Sequence, residues 1–304
     1  MLTVDENFRL SEILVIQNPQ NKPIRSQTIS ELCENSSEEA ALIRLLLGTV
    51  RIHHPEFAKP LLQDTNYAII GTPQTQIRAQ SGLTRLLKNI EIEKRHLDLH
   101  LQKNLRQRSF YKEILLEVLH HLLRFKKHQG SLAFVHLYRF LERISFVFPV
   151  VYASTTTDFK GAYNALKEFV NGSEKGELAF FTKFVEIVIE DTVLQSESTI
   201  SFASLSTQIE RDKAISVIKR MVNDSFITGE NQGIEITIKN AGLLDLFINL
   251  RNRFFHFSSG NVGNITLVEV ANPDQFFTCI CPTMFSWLAI LYFEIVRNSS
   301  ERYV

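Results

Sequence analysis

The segment Leu250-Arg251-Asn252-Arg253-Phe254-Phe255-His256-Phe257 places a guanidinium, a carboxamide and an imidazole close together in the chain. Imidazole is the side chain best suited to moving protons near neutrality, and a guanidinium fork matches the oxygens of a phosphate. Held rigidly, such a set can do acid–base chemistry beside a bound phosphate. The spacing predicts an α-helix over 240–257. At about 100° per residue, Leu243, Phe247, Leu250, Phe254 and Phe257 form one stripe that would face a core. Asn252 and His256, four residues apart, share a face roughly opposite that stripe. Arg251 lies about 100° from Asn252, with a side chain long enough to swing towards it.

These residues resemble the motif of the HEPN superfamily (higher eukaryotes and prokaryotes nucleotide-binding), many of whose members are RNA endonucleases. The motif is an Arg, often followed by Asn, Asp or His, and then a His after four to six intervening residues. Here it reads Arg251, Asn252 and, after four intervening residues, His256. The resemblance covers those three positions and the helical character of the chain. It implies an α-helical bundle and RNA cleavage without metal or other cofactor, the ribose 2′-hydroxyl attacking the adjacent phosphate. His256 would be the general acid or base, Arg251 would hold the phosphate, and Asn252 would orient the scissile region or the imidazole. It also implies a homodimer with a composite site, a role as toxin or effector in prokaryotic antiviral defence, and a protein partner within such a system. Arg95 and His100 repeat the spacing, but on a charge-dense helix without aromatic anchoring, and are set aside for that reason.

An RNA-cleaving protein needs cations along the strand's path, yet the formal net charge is zero. The charge is unevenly spread: residues 78–127 carry 12 basic and 5 acidic groups, net +7, and residues 1–42 carry 3 and 7, net −4. Lys94, Arg95, Lys103, Arg106 and Arg108 from the basic stretch, with Arg253 beside the motif, are the candidate nucleic-acid contacts. The same stretch reads equally well as a solvated helix face balanced by acidic neighbours. Two other functions stay open. One is a non-catalytic helical scaffold or interaction subunit of a multi-component system. The other is a winged-helix nucleic-acid binder, because a helix over 206–224 precedes a hairpin at 226–238. Arg139 and Glu142 read as an i, i+3 ion pair, or as polar support for the Arg–His site. His120 and His121 beside Glu117 lack the further ligands of a metal site, and Cys33, Cys279 and Cys281 have neither zinc nor disulfide-framework spacing. No metal and no cofactor is expected.

The elements that must position these residues follow from composition. Glycine (12) and proline (8) are sparse and 44% of residues are hydrophobic, which predicts a mainly α protein. The expectation is a helical, HEPN-like bundle with two small β-hairpins, at 226–238 and around Asn272-Pro273-Asp274 at 265–281. Residues 1–77 read as a helical or irregular N-terminal extension and 78–304 as the helical domain bearing both hairpins. Ser36 and Ser37 before Glu38 and Glu39 mark a helix start. Further helices are expected over 81–107, 109–127, 131–148 (stopped by Pro149), 161–171, 176–194 and 282–297. The apolar run Met284–Phe293 falls short of the roughly 20 residues that span a bilayer. The N-terminus shows no basic start followed by an apolar core. A cytoplasmic protein without a membrane partner is the expectation.

Overall fold

Sparse breakers and recurring apolar residues produce a mainly helical chain with two small antiparallel sheets. The computed structural model describes residues 7–9, 15–17, 36–48, 50–63, 65–68, 93–155, 158–171, 177–256 and 263–301. The chain divides into two units, residues 1–116 with 295–304 and residues 117–294. The domain limit expected at residue 77 lies outside the described residues.

In the first unit, β1 (Asn7–Arg9), β2 (Val15–Gln17), β3 (Val50–His53) and β4 (Leu61–Gln63) pair antiparallel in sequence order. The lead expected to be irregular therefore carries a sheet. Strands of three or four residues are too short for apolar alternation to show. α1 (Glu38–Leu46) begins as its sequence predicts: Ser37 Oγ accepts the Ala40 N–H at 3.2 Å. The helix expected from residue 81 is described from Lys94, as α2 (Lys94–Asn104) followed by a 3₁₀ turn, Leu105–Gln107. Leu97 and Leu101 on its apolar stripe are buried, but Leu105 in the 3₁₀ turn is half exposed. α3 (Arg108–Lys126) starts in this unit and ends in the other.

The second unit holds α4 (Gly130–Thr155), α5 (Phe159–Asn171), α6 (Glu177–Val188) and the short α7 (Asp191–Gln195). β5 (Glu197–Ser201), α8 (Gln208–Met221), β6 (Ile227–Asn231), β7 (Glu235–Lys239) and α9 (Asn240–Leu250) follow. α8 opens on a capping box between Thr207 and Glu210. The hairpin expected at 226–238 is present as β6–β7, and β5 extends it to a sheet of order β5-β7-β6. Gln232 and Gly233 at its tip have φ of +48° and +64°, the backbone that tight hairpin turns require.

The second expected hairpin, at 265–281, is not formed. Residues 273–281 are instead the first turns of α10 (Pro273–Glu301). Asn272 is the helix cap, its Oδ1 accepting the Gln275 N–H at 3.1 Å, and Pro273 is the first helical residue, where a missing N–H costs nothing. Phe276, Phe277, Ile280, Cys281 and Met284, all buried, follow helical rather than strand spacing. α4 likewise runs through Pro149 instead of stopping there. Phe148 packs on Tyr292 and Tyr152 on Phe184, so tertiary contacts on both sides of the proline hold the helix together. By length and apolar character α10 could cross a membrane, but 78% of its most apolar window is buried inside the protein, as in a core helix.

Two packing details fix α4 in the second unit. Gly130 meets α10 so closely that a Cβ there would lie 2.1 Å from the Asp274 carbonyl oxygen, and the Ser131 N–H donates to Asp274 Oδ1 at 2.9 Å. His121 of α3 is fully buried, with Nδ1 3.0 Å from the Ala133 carbonyl oxygen and its ring against Phe285. Burial pushes this imidazole down from 6.5 to about 4.

Gly130→Ala should therefore lower unfolding free energy by about 1–3 kcal/mol, the usual cost of overpacking, in urea titrations. His121 should make the fold acid-sensitive. Between about pH 6.5 and pH 4 the unfolded chain takes up a proton that the folded imidazole refuses, so stability falls with pH through that window by about 3 kcal/mol. His121→Gln, which keeps a donor for Ala133, should flatten that part of the stability–pH curve; an unchanged slope would refute the assignment.

Candidate functional site

α9 is pinned at its start by a buried carboxamide. Asn240 Nδ2 donates to the Val193 carbonyl at 3.1 Å and to Ser196 Oγ at 2.9 Å, and its Oδ1 accepts from Ser198 Oγ at 2.7 Å. Leu243, Leu246, Phe247 and Leu250 are completely buried along its inner face. Beyond Leu250 the helix does not continue as expected: Arg251–Phe255 forms a π turn and His256 caps it. A π turn closes i→i+5 bonds, one residue wider than an α-helical turn. His256 leaves the turn with φ −110° and ψ 90°, off helical geometry, so α-helical spacing no longer sets its direction.

Arg251 and His256 border one cleft of about 190 Å³. Its other walls are Phe134, Val135, Tyr138, Arg139 and Glu142 from α4, with Phe255 beside His256. Phe255 stacks on Phe134 (5.8 Å, 8° between planes) and touches Phe277 and Phe254, so its partly exposed ring is the outer edge of a buried aromatic cluster. His256 itself is exposed.

The Arg251 guanidinium is held on three sides. It lies over the Tyr138 ring, 4.8 Å from the centroid; Nη1 donates to Asn252 Oδ1 at 3.0 Å; Nη2 is 3.7 Å from Glu142 Oε1. Burial pushes the Tyr138 phenol up to about 12, against the pull of Arg251, so the ring stays neutral. Asn252 is exposed and acts on Arg251. Glu142, which the sequence pairs with Arg139, is instead met by Arg251, Nη2 lying 3.7 Å from its Oε1. Behind this wall, His136 Nδ1 meets Glu117 Oε2 at 2.8 Å and Arg143 Nη2 lies 3.5 Å from Glu117 Oε1. Burial pushes Glu117 up, but the His136 hydrogen bond and the charges of His136, Arg139 and Arg143 bring it below the usual carboxylate range. Among the described residues, no group of three or more His, Cys, Asp or Glu side chains is placed to hold a metal ion.

The remaining candidates are more scattered. Arg253 is turned to the loop: a Cβ on Gly263 would lie 2.2 Å from its Nη1, and its carbonyl accepts the Ile265 N–H at 2.9 Å. Lys94, Arg95, Lys103, Arg106 and Arg108 belong to the first unit. The Lys94 side chain lies outside the described residues; Arg95, Lys103 and Arg106 are exposed. Arg108 grips Glu38 with Nε and Nη2 at 2.8 and 3.2 Å, a hydrogen-bonded pairing that pushes the guanidinium pKa higher still. His100, of the repeated Arg–His spacing, is a core residue: Nε2 is 2.7 Å from Glu39 Oε1 and Nδ1 3.1 Å from Ser299 Oγ.

The spacing of the Arg–His segment does not single out Tyr138, Phe134 or Phe255. The available signal is α4 itself, which repeats Val135, Tyr138 and Glu142 at i, i+3 and i+7. Compared with protein-family models, curated proteins and solved structures, the chain matches none.

The stacking of Arg251 on Tyr138 is measurable. A double-mutant cycle of Arg251→Ala and Tyr138→Leu should return a coupling of about 0.5–2 kcal/mol in unfolding free energy; additive effects would mean the guanidinium is not held there.

Proposed function

We propose that the chain is a HEPN-type RNA endonuclease acting without metal, with His256 transferring a proton, Arg251 holding the scissile phosphate and Asn252 holding Arg251. The observation that carries this reading is the shared cleft of Arg251 and His256, beside the π turn. The ribose 2′-oxygen attacks the adjacent phosphorus, the 5′-oxygen leaves, and a 2′,3′-cyclic phosphate remains. A guanidinium fork stabilises charge building on the phosphoryl oxygens, and Arg139 supplies a second one on the same cleft. The Phe255 ring offers an exposed edge for a base. At about 190 Å³ the cleft is smaller than the roughly 300–1,000 Å³ of pockets that enclose a whole small ligand. It suits a short stretch of a strand that continues outside it.

RNA as substrate follows from this reading. A homodimer, a protein partner in an antiviral defence system and a toxin or effector role rest on the motif resemblance alone, and a cytoplasmic location fits an RNA substrate. The scaffold reading draws on the exposed Phe159 and Tyr163 of α5. A winged-helix reading draws on the order β5-β7-β6 around α8. It is the weaker one, because β5 leads to α8 through a turn, without a second helix, and the hairpin tip carries Glu230 and Glu235 rather than cations.

His256→Ala should reduce cleavage of single-stranded RNA by about 10²–10⁴-fold, the usual share of a general acid or base, with an unchanged thermal midpoint. Undiminished cleavage by that variant would rule the reading out.

A further inference from the structure

Tyr138 borders the cleft with only 5% of its surface exposed. Buried polar groups are nearly always hydrogen-bonded, because an unmade bond leaves their desolvation uncompensated. The Tyr138 hydroxyl has no hydrogen-bond partner among the described residues, and it is not one of the fully enclosed polar atoms. It is an open donor on a side chain that is otherwise packed away. The ring is fixed: it meets Phe247 edge-on at 5.9 Å between centroids and carries the Arg251 guanidinium on its face at 4.8 Å. A phenylalanine would carry that cation too, so support of Arg251 leaves the hydroxyl unexplained. Burial, opposed by Arg251 and assisted by Glu142, pushes the phenol up to about 12, so the hydroxyl keeps its proton at neutral pH. A neutral donor beside a guanidinium matches an anionic oxygen, since hydrogen bonds to charged acceptors are roughly twice as strong as neutral ones.

We propose that Tyr138 contacts the substrate, its hydroxyl donating a hydrogen bond to a non-bridging oxygen of the scissile phosphate that Arg251 holds. This rests on the endonuclease reading and adds to it a donor that lies outside the Arg–His segment. The guanidinium covers the face of the ring, so an oxygen bound to it from the cleft comes within reach of the hydroxyl edge. As the 2′-oxygen bonds to phosphorus, charge grows on the non-bridging oxygens and the hydrogen bond strengthens. No proton leaves the phenol; the proton transfers stay with imidazole. Tyr138 belongs to the same chain as the Arg251 it supports, so the contact serves equally in a site completed by the Arg251 and His256 of a second copy.

The test uses the full chain, single-stranded RNA and Tyr138→Phe, which keeps the ring under Arg251 and removes only the hydroxyl. kcat should fall by about 10²–10³-fold, the usual cost of losing one donor to a developing oxyanion, with little change in KM. The thermal midpoint should not move. Tyr138→Leu, which removes the support of Arg251 as well, should also raise KM. A second substrate carries sulfur in place of one non-bridging oxygen at a single cleavable linkage, as separate Rp and Sp isomers. Sulfur is a weak acceptor, so the isomer with sulfur towards Tyr138 should slow the wild type more than it slows Tyr138→Phe. A Tyr138→Phe kcat within about tenfold of wild type, or sulfur effects equal in both proteins for both isomers, overturns the inference: Tyr138 then only supports Arg251, and the endonuclease reading stands. A wild type without RNA cleavage, or a His256→Ala variant as active as wild type, overturns both.

Discussion

The Phe134 ring touches three other rings: Phe247 of α9 at 4.9 Å, Phe255 of the π turn at 5.8 Å and Phe277 of α10 at 4.6 Å. Phe134 itself sits on α4, two turns before Glu142. Four segments of the second unit are therefore tied together through one fully buried side chain. Each aromatic pair adds about 0.5–1.5 kcal/mol beyond simple burial. The cleft lies directly on this junction, with α4 as one wall and the π turn as the other. Its side chains thus inherit the rigidity of the core, which is what a geometry-dependent proton transfer requires.

The π turn adjoins the same junction. On a straight α-helix Phe247, Leu250 and Phe254 would share the inner stripe and Phe255 would stand about 80° away from it. The wider turn lets Phe255 take the place next to Phe134, while Phe254 remains half buried against Phe277. One residue of register is displaced, and everything after Leu250 moves with it. Arg251 and His256 line the same cleft. Unusual helical turns of this kind cluster at functional sites, and here the turn coincides with the packing of Phe255 on Phe134.

Much of this is legible in the chain, and the exceptions share a cause. The helical class, the buried stripe of Leu243, Phe247 and Leu250, the Ser37 cap and the hairpin at 226–238 follow from local signals: spacing, a capping side chain, a glycine at a turn. The misread elements are those in which local signals point two ways and a distant contact decides. Asn272-Pro273-Asp274 suits a turn or a helix start, and the burial of Phe276, Phe277 and Ile280 selects the helix. Pro149 usually ends a helix, and rings packed on either side of it carry the helix through. The strands of the N-terminal sheet are three or four residues long and leave too little pattern to read. At the candidate site the residue types are visible but their partners are not, because nothing local says that Tyr138 and Glu142 face Arg251.

Charge pairing also distinguishes the cations of the second unit from one another. The cations of α8 are largely engaged within the fold: Arg220 with Glu269 at 2.6 Å, Lys219 with Glu230, Lys213 with the Val268 carbonyl, and Arg211 with the Leu205 carbonyl. A phosphate approaching that helix would have to displace these contacts and would meet Glu230 and Glu235 on the adjoining hairpin. In the cleft the balance differs. Arg251 is stacked on an aromatic face and met by a solvent-accessible carboxylate at 3.7 Å, longer than a direct hydrogen bond. Exposed pairs of that kind are worth about 0–1 kcal/mol, so an incoming phosphate can take the guanidinium at little cost. Net neutrality of the chain is therefore compatible with nucleic-acid chemistry, because what matters at a site is the cation that can change partners, not the number of cations in the sequence.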